Sequence, residues 1–436
     1  MRNLKKIQKG VFLITLLLFS QQIIAQSTDA LNSFTPYSIF GLGDVLRPGT
    51  AYNKGMGGIG VGVRDNRVIN YLNPASVVER DTLSFMLDFG LEQKNFYMSD
   101  NNTRSAYNAF NMHHLMLTLP IYKRSALIVG ITPYSSVGYK FEQTETDPAI
   151  IAEMGDIKYQ KYGTGGINKF FLGGSMKLSK NLSFGAEGIY YFGTIDRYSN
   201  ILFTSNAASY RSIKTGMDYV VGSISGKLGL QYSLKLPKDK SLTLGATYLL
   251  NSKMRGDLTR YSFAVNSAGA TDTVAFNSST QTEIEIPSEI ALGASLRKTD
   301  KWMIGADFVR QDWRNASFTA TPGVNFAPSL SNTFKFGFEF TPNRYDVRYY
   351  FRRVTYKGGA YYEKSYMSLG GHQVNSAGLT LGASFPIFRL HNSLGVAVDM
   401  GQRGSIKNNM VRERYLMFVV NISLFDPSWF KKYKYD

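Results

Sequence analysis

Several stretches of the chain have residue types and spacing that could do chemistry. Gly55-x-Gly57-x-x-Gly60 matches the dinucleotide fingerprint, with Asp81 about 20 residues further on. That motif cradles a pyrophosphate only where it joins a strand to a helix, and nothing after it reads as a helix. Lys214-Thr215-Gly216 resembles a penicillin-binding triplet, but no Ser-x-x-Lys with an Asp-rich companion accompanies it. His113 and His114 are adjacent, so in a strand they face opposite ways and share no metal, while His372 and His391 are isolated. Asp88, Glu187 and Asp399 are scattered and read as wall charges near Arg348, Arg352 and Arg353 rather than as a general acid–base pair. The chain has no cysteine, which excludes thiol catalysis, Cys-ligated zinc, iron–sulfur clusters, disulfides and a lipid-carrying Cys. The reading is therefore no enzyme: no catalytic residue, no cofactor and no metal.

The elements that would have to position such residues point elsewhere. The chain has 436 residues, 44% of them apolar and 14% aromatic. This content excludes a mainly disordered chain. A mean hydropathy of −0.17 excludes a bundle of membrane-spanning helices, each of which needs about 20 consecutive apolar residues. What the sequence does have is alternation. Leu228, Leu230, Tyr232, Leu234 and Leu236 share one face, and Lys227, Gly229, Gln231, Ser233 and Lys235 the other. Leu242, Leu244, Ala246, Tyr248 and Leu250 repeat the pattern, as do Phe334, Phe336, Phe338 and Phe340, and Leu416, Phe418, Val420, Ile422 and Leu424. Successive side chains of a strand point to opposite faces, so this order makes a wall between two solvents. A helix would scatter the same apolar residues around its circumference.

Short polar turns at residues 122–125, 179–182, 237–240, 298–301, 341–346 and 389–392 alternate with long polar connections. The long ones fall at 95–108, 134–166, 195–212, 252–284, 312–330, 355–374 and 402–411. Together they delimit fourteen strands starting near Thr82. The expected fold is all-β, a 14-stranded antiparallel transmembrane β-barrel with short turns on one side and long loops on the other. Because lipid offers no hydrogen-bond partners, such a sheet must close. Tyr190, Tyr191, Phe192, Tyr349, Tyr350 and Phe351 read as strand-end aromatics of the two interfacial girdles. The pairs Gly173-Gly174 and Gly358-Gly359 are candidate points of wall distortion.

Residues 1–25 read as a secretory signal peptide: Arg2, Lys5, Lys6 and Lys9 precede an apolar run from Val11 to Phe19, with cleavage after Ala25. Export turns the basic excess (49 Lys and Arg against 32 Asp and Glu, net +17) away from nucleic acid. Lys158, Lys161, Arg197, Arg211, Lys214, Arg255 and Arg260 fall in long connections and would face outer-membrane lipid and phosphorylated lipopolysaccharide. Residues 26–81 lack alternation and hold the dense run Gly55-Met56-Gly57-Gly58-Ile59-Gly60-Val61-Gly62. Ile59, Val61, Val63, Val68, Ile69 and Leu72 within this stretch are of buried type. A barrel this wide is not filled by its own side chains, so 26–81 is expected to fold inward as a hatch, its glycines packing against the wall. The expected organisation is signal peptide 1–25, hatch 26–81, barrel 82–425 and basic aromatic periplasmic tail 426–436.

The run from Gly55 to Ser76, GMGGIGVGVRDNRVINYLNPAS, resembles the N-terminal signature of the FadL/TodX-type outer-membrane transporters. The matching positions are Gly55, Gly57, Gly58 and Gly60, followed by the triplet Asn73, Pro74 and Ala75. The stretch TPYSIFGLGD from Thr35 to Asp44 and Ser384-Phe385-Pro386-Ile387 are similar to the Bacteroidota branch of that family, which includes PorV-like accessory barrels. The resemblance implies an integral protein of the bacterial outer membrane. It further implies passive uptake of hydrophobic small molecules (fatty acids, hydrocarbons), past the hatch and out through a lateral opening. The alternative is a non-transporting accessory barrel, a subunit of an outer-membrane complex for secretion, nutrient uptake or barrel assembly. A transporter needs an apolar path and a gap in the strand hydrogen bonding, whereas an accessory barrel can be plugged shut. Beyond Pro427, the tail residues Trp429, Phe430, Lys431, Lys432 and Lys434 are candidates for gripping lipid head groups or a partner protein.

Overall fold

The structure, a computed structural model, describes residues 33–79, 84–101, 103–122, 124–203, 210–266, 269–318, 325–387 and 392–426. The expected signal peptide, His391 and the tail residues Trp429, Phe430, Lys431, Lys432 and Lys434 lie outside the described residues.

Fourteen strands form the wall. They are β1 (Phe85–Ser99), β2 (Arg104–Tyr122), β3 (Ser125–Ser136, continued by Tyr139–Thr144), β4 (Ile157–Lys177), β5 (Leu182–Phe203) and β6 (Ser212–Leu236). There follow β7 (Lys240–Leu249, continued by Ser252–Val265), β8 (Thr271–Ile286, continued by Glu289–Lys298), β9 (Trp302–Asp312) and β10 (Leu330–Phe340). The last four are β11 (Thr355–Leu369), β12 (His372–Pro386), β13 (Ser393–Arg403) and β14 (Arg412–Asp426). Each pairs antiparallel with its neighbours, and β14 closes on β1 from Arg412↔Ser99 to Asp426↔Phe85.

Alternation sets the two faces as expected. On β10, Phe334 is 53% exposed on the outside and Lys335 only 9% inside. Leu228, Leu230, Tyr232, Leu244, Tyr248, Phe418 and Ile422 likewise face out, while Gln231, Met417, Asn421 and Ser423 are buried. The outside is thus apolar and the inside polar, which is what hydrocarbon requires of a wall.

Three expectations about the connections are corrected. Most of the long polar stretches are strand rather than loop: β4 to β8 run on beyond the barrel, and above the lipid both faces meet water, so alternation fades there while pairing persists. Residues 349–351 do not end a strand. They belong to the connection between β10 and β11, which includes the short helix Tyr350–Arg353. Gly173-Gly174 and Gly358-Gly359 mark no distortion, because all four residues pair regularly with both neighbouring strands.

Candidate functional site: the lumen segment and the split wall

Residues 33–79 lie inside the barrel and touch strands all round it. Short helical turns (Pro36–Ile39, Ala51–Lys54 and Pro74–Glu79) and a two-residue strand, Asp44–Val45, are joined by irregular backbone. Ile59, Val61, Val63, Ile69 and Leu72 are buried, and Val68 is partly so.

The glycine run works by close approach. Gly57 has φ +67, and a Cβ there would lie 2.5 Å from the Phe336 carbonyl oxygen and 2.6 Å from that of Ala360. Only glycine fits such a site at no steric cost. The freed backbone groups then find wall partners: Gly57 N–H donates to Thr380 Oγ1 at 2.7 Å, and Gly60 and Val61 donate to Asp307 Oδ2 at 2.6 and 2.8 Å. Gly55 packs on Gly382, and Gly58, with φ +83, faces Lys335. This is the opposite of a nucleotide loop, since Gly55 ends a helix rather than opening one and the N–H groups are already used. Asn73 accepts from Ala75 N–H at 3.0 Å and donates to the Val61 and Leu230 carbonyls, so the Asn-Pro-Ala triplet ties this segment to β6. Pro74 packs against Gly185 and Gly229, and Ala75 is fully buried.

Charged residues hold the same segment, and apart from Asp399 these the sequence reading missed. Arg403 donates to Asp44 Oδ1 at 2.5 Å and, through its other nitrogen, to Thr35 Oγ1 and Glu413 Oε2, each at 2.9 Å. Lys94 stands 3.8 Å from Asp44 and 3.9 Å from Glu413. Arg47 reaches Asp399 at 2.7 Å and lies over the Tyr361 ring. Lys54 meets Glu92 at 3.3 Å. Arg297 bridges Glu339 at 2.6 Å and Asp65 at 3.0 Å. The available signal was parity: Lys94, Arg403 and Glu413 occupy inward positions of alternating strands, where only a polar interior accepts them.

Asp88, Glu187 and Asp399 are buried and inward, yet their neighbours are not the expected arginines. Asp88 accepts from Asn421 at 2.9 Å, Ser423 at 2.7 Å and His114 at 2.6 Å. Lys169 and Lys227 supply positive charge beside Glu187. Arg348 and Arg352 lie instead on the exposed β10–β11 connection. His113 and His114 do not face opposite ways either. A register shift after Gly90 makes His113 an extra residue, so both rings turn inward with their Nδ1 atoms 2.7 Å apart. A β-bulge does this by breaking the two-residue period. No metal-holding group of three or more ligands occurs among the described residues. Lys214-Thr215-Gly216 lies within β6, and Arg197 donates inward to the Gly41 carbonyl at 2.7 Å rather than facing lipid.

Among the described residues, the wall is split between β2 and β3. β2 and β3 pair only from Leu115↔Ile131 to Tyr122↔Ser125. Beyond that, β2 runs on to Arg104 with β1 as its strand partner, while β3 bends away through Pro133 and breaks at residues 137–138. A proline inside a strand marks such a departure, and it stood in the sequence unread. The lumen segment fills the split: Asp44 and Val45 pair with Ser136 and Ser135, and Leu46 N–H donates to the Tyr134 carbonyl at 2.9 Å. Thr35 N–H donates to the Gly138 carbonyl at 2.8 Å, and the Phe34 ring stacks on Tyr107 of β2 at 4.7 Å. Behind the split lies a cavity of about 490 Å³ lined by Phe96, Met112, His113, Pro133, Asn168 and Phe192 among others. A central cavity of about 140 Å³ has a mixed lining, with Arg47, Lys54, Lys94, Lys227, Glu289 and Lys335 beside apolar residues such as Val61, Leu72, Val309 and Trp313. The gap is therefore present, though not at the glycine pairs. With the segment seated, charged side chains including Lys54, Lys94 and Lys335 stand in the lumen.

A family model described as BamG matches residues 5–436. The chain belongs to the BamG family. This BamG-family barrel also shares its fold with solved channels. A monoaromatic hydrocarbon channel, CymD, is 15% identical, with a TM-score of 0.55 over 88% of this chain and 98% of that one. The toluene transporter TbuX of Ralstonia pickettii is 14% identical, with a TM-score of 0.56 over 87% of this chain and 98% of that one. A FadL homologue of Pseudomonas aeruginosa is 14% identical, with a TM-score of 0.56 over 88% and 99%. No curated protein sequence matches. The first two are described as a channel and a transporter, and the apolar outer belt together with this fold implies an outer-membrane barrel.

Burial and charge together are expected to make seating of the lumen segment acid-sensitive. Burial alone would raise the Asp65 carboxyl, but Arg67 and Arg297 outweigh it and hold the group well below the usual carboxylate range. Asp44 is shifted the same way, with Arg403 and Lys94 opposing burial. A carboxylate depressed in the folded state stabilises above its unfolded value and loses that stabilisation as pH falls through the lower folded one. Exchange of the amides in residues 44–67, corrected for intrinsic rates, is expected to be constant from about pH 5 to 8 and to accelerate below about pH 4. Acceleration already between pH 5 and 7 would show that these carboxylates do not control the seating.

Proposed function

We propose that this protein is a passive outer-membrane route for hydrophobic small molecules such as fatty acids and hydrocarbons. Residues 26–81 act as its hatch and the β2–β3 split as its lateral exit. The single observation that carries this reading is the split. A wall in lipid closes its hydrogen bonding everywhere it can, and here a stretch of it is closed only by the lumen segment. Moving that segment would open a way from the lumen sideways into the bilayer, sparing an apolar solute a second crossing of water. The segment has to move, because the seated lumen is polar. The structural relatives, whose names describe hydrocarbon and toluene channels, support this reading. An N-terminal signal peptide (1–25) delivers the chain, and lipopolysaccharide surrounds its outer end.

Specific observations favour a second reading, the accessory subunit of an outer-membrane protein complex. Membership of the BamG family points to association with other outer-membrane proteins. The tightly held segment and charged lumen suit a barrel that carries nothing. A PorV-like Bacteroidota accessory barrel would look like this, with Trp429, Phe430, Lys431, Lys432 and Lys434 of the tail available for docking.

Extraction from the native outer membrane in mild detergent, followed by the mass of the intact particle, separates the two. A monomer carrying fatty acid or hydrocarbon supports the channel. A larger particle with stoichiometric protein partners and no such cargo sinks it in favour of the accessory subunit.

A further inference from the structure

The part of the wall beyond the lipid has a surface that neither reading uses. β4, β5, β6 and the outer parts of β7 and β8 rise above the barrel as one continuous sheet. In the last of these, residues 271–279 are exposed on both faces, so it stands in water. One of its edges is paired with β7 from Val265↔Thr271 to Ser252↔Ile286. Its other edge has no ladder among the described residues: β9 takes up β8 only from Glu289↔Gln311 inward, and β9 ends at Asp312. Among the described residues, the strand Thr271–Ile286 therefore presents an open row of N–H and C=O groups.

Exposed edges are normally blunted by short length, lysine or proline. This one is long, contains no lysine, arginine or proline, and sets Val274 and Phe276, each 65% exposed, on one face. Of its acids, Asp272 meets Arg211, and positions 283 and 285 stand opposite Arg255 and Lys253 in the register. The edge therefore repels neither sign of charge.

We propose that the outer edge of β8 is a docking site for an extended segment of a different outer-membrane or cell-surface protein, added antiparallel as a further strand. Main-chain hydrogen bonds would supply affinity, and apolar side chains at alternate positions of the incoming segment would pack on Val274 and Phe276. A second copy fits poorly. Two barrels upright in one membrane are related by rotation about the membrane normal, which brings their β8 edges together parallel. Parallel pairing is the less stable arrangement, and the rest of this wall is antiparallel. A segment of another protein can run in the opposite direction, outward from the membrane.

The test compares hydrogen exchange of residues 271–279 in isolated native outer membranes with exchange in the purified barrel in detergent. Alternate amides are expected to exchange at least about tenfold more slowly in the membranes. The variant V274K/F276K places guarding lysines at two exposed positions and is expected to exchange in membranes as fast as the purified protein, with its heat-modifiable migration and its uptake unchanged. Equal rates in membranes and detergent would overturn the proposal, as would protection that survives in V274K/F276K. Protection appearing in the purified protein as its concentration rises would overturn it in favour of self-association. None of these outcomes bears on uptake through the β2–β3 split.

Discussion

Replacing Arg403 by alanine is expected to unseat the N-terminal part of the lumen segment while leaving the barrel closed. In the native cluster two carboxylates, Asp44 and Glu413, face two cations, Arg403 and Lys94, and all four side chains are at most 10% exposed. Arg403 alone makes direct bonds to both acids and to Thr35, which in turn donates to Glu413 at 2.6 Å. Without it, Lys94, at nearly 4 Å from each acid, is left to balance both. Breaking a buried pair by removing one partner costs about 3–5 kcal/mol, because a charge is left uncompensated. The cheapest relief is for Asp44 to leave with its segment, since Glu413 is fixed in β14. At about 1.4 kcal/mol per tenfold, the amides of Thr35 and Leu46, which bond to the Gly138 and Tyr134 carbonyls, are expected to exchange faster by a factor between roughly 10² and several times 10³. The double variant D44A/R403A restores the balance of one acid to one base and is expected to exchange more slowly than R403A. Exchange in R403A within about threefold of the parent would show that this cluster does not hold the segment. Heat-modifiable migration provides the check that the barrel itself has formed.

The wall was legible because a membrane imposes one rule on it. Every position of β10 or β14 faces either hydrocarbon or a polar interior, so Phe334 to Phe340 and Leu416 to Leu424 announce their strands. The glycine run was legible for a related reason, since so many residues without side chains in one place imply backbone lying against backbone. Three things were hidden, each with a physical cause. Beyond the lipid both faces of a strand meet water, so the outer parts of β4 to β8 carry no period and read as loop. A single extra residue flips parity, so His113 and His114 were placed on opposite faces although the bulge opposite Gly90 turns both inward. The split depends on a pairing between residues almost a hundred positions apart, Asp44–Val45 with Ser135–Ser136, and no local pattern encodes which segment completes which strand. Only Pro133 hinted that β3 leaves its neighbour.

The position of that pairing also gives a way to hold the exit shut. Val45 and Ser135 are register partners, and paired residues of an antiparallel ladder lie about 4.5–5.5 Å apart at Cα, within the span a disulfide bridges. The natural chain has no cysteine, so V45C/S135C can form one intramolecular bond and no other. When it is oxidised, the lumen segment cannot separate from β3 and the split cannot widen. If hydrophobic molecules leave through the split, cells relying on the oxidised variant are expected to take up a fluorescent long-chain fatty acid no faster than cells lacking the protein. A reductant is expected to restore the parental rate. This is the largest effect the structure implies, because it removes a route rather than weakening a contact. Uptake that is the same in oxidised and reduced protein would place the exit elsewhere in the wall. If the parental protein shows no uptake above background, transport itself is excluded and the accessory-subunit reading stands. A variant locked at Val45 yet otherwise native would then keep its partners, which is the opposite of what V274K/F276K is expected to do at the far end of the molecule.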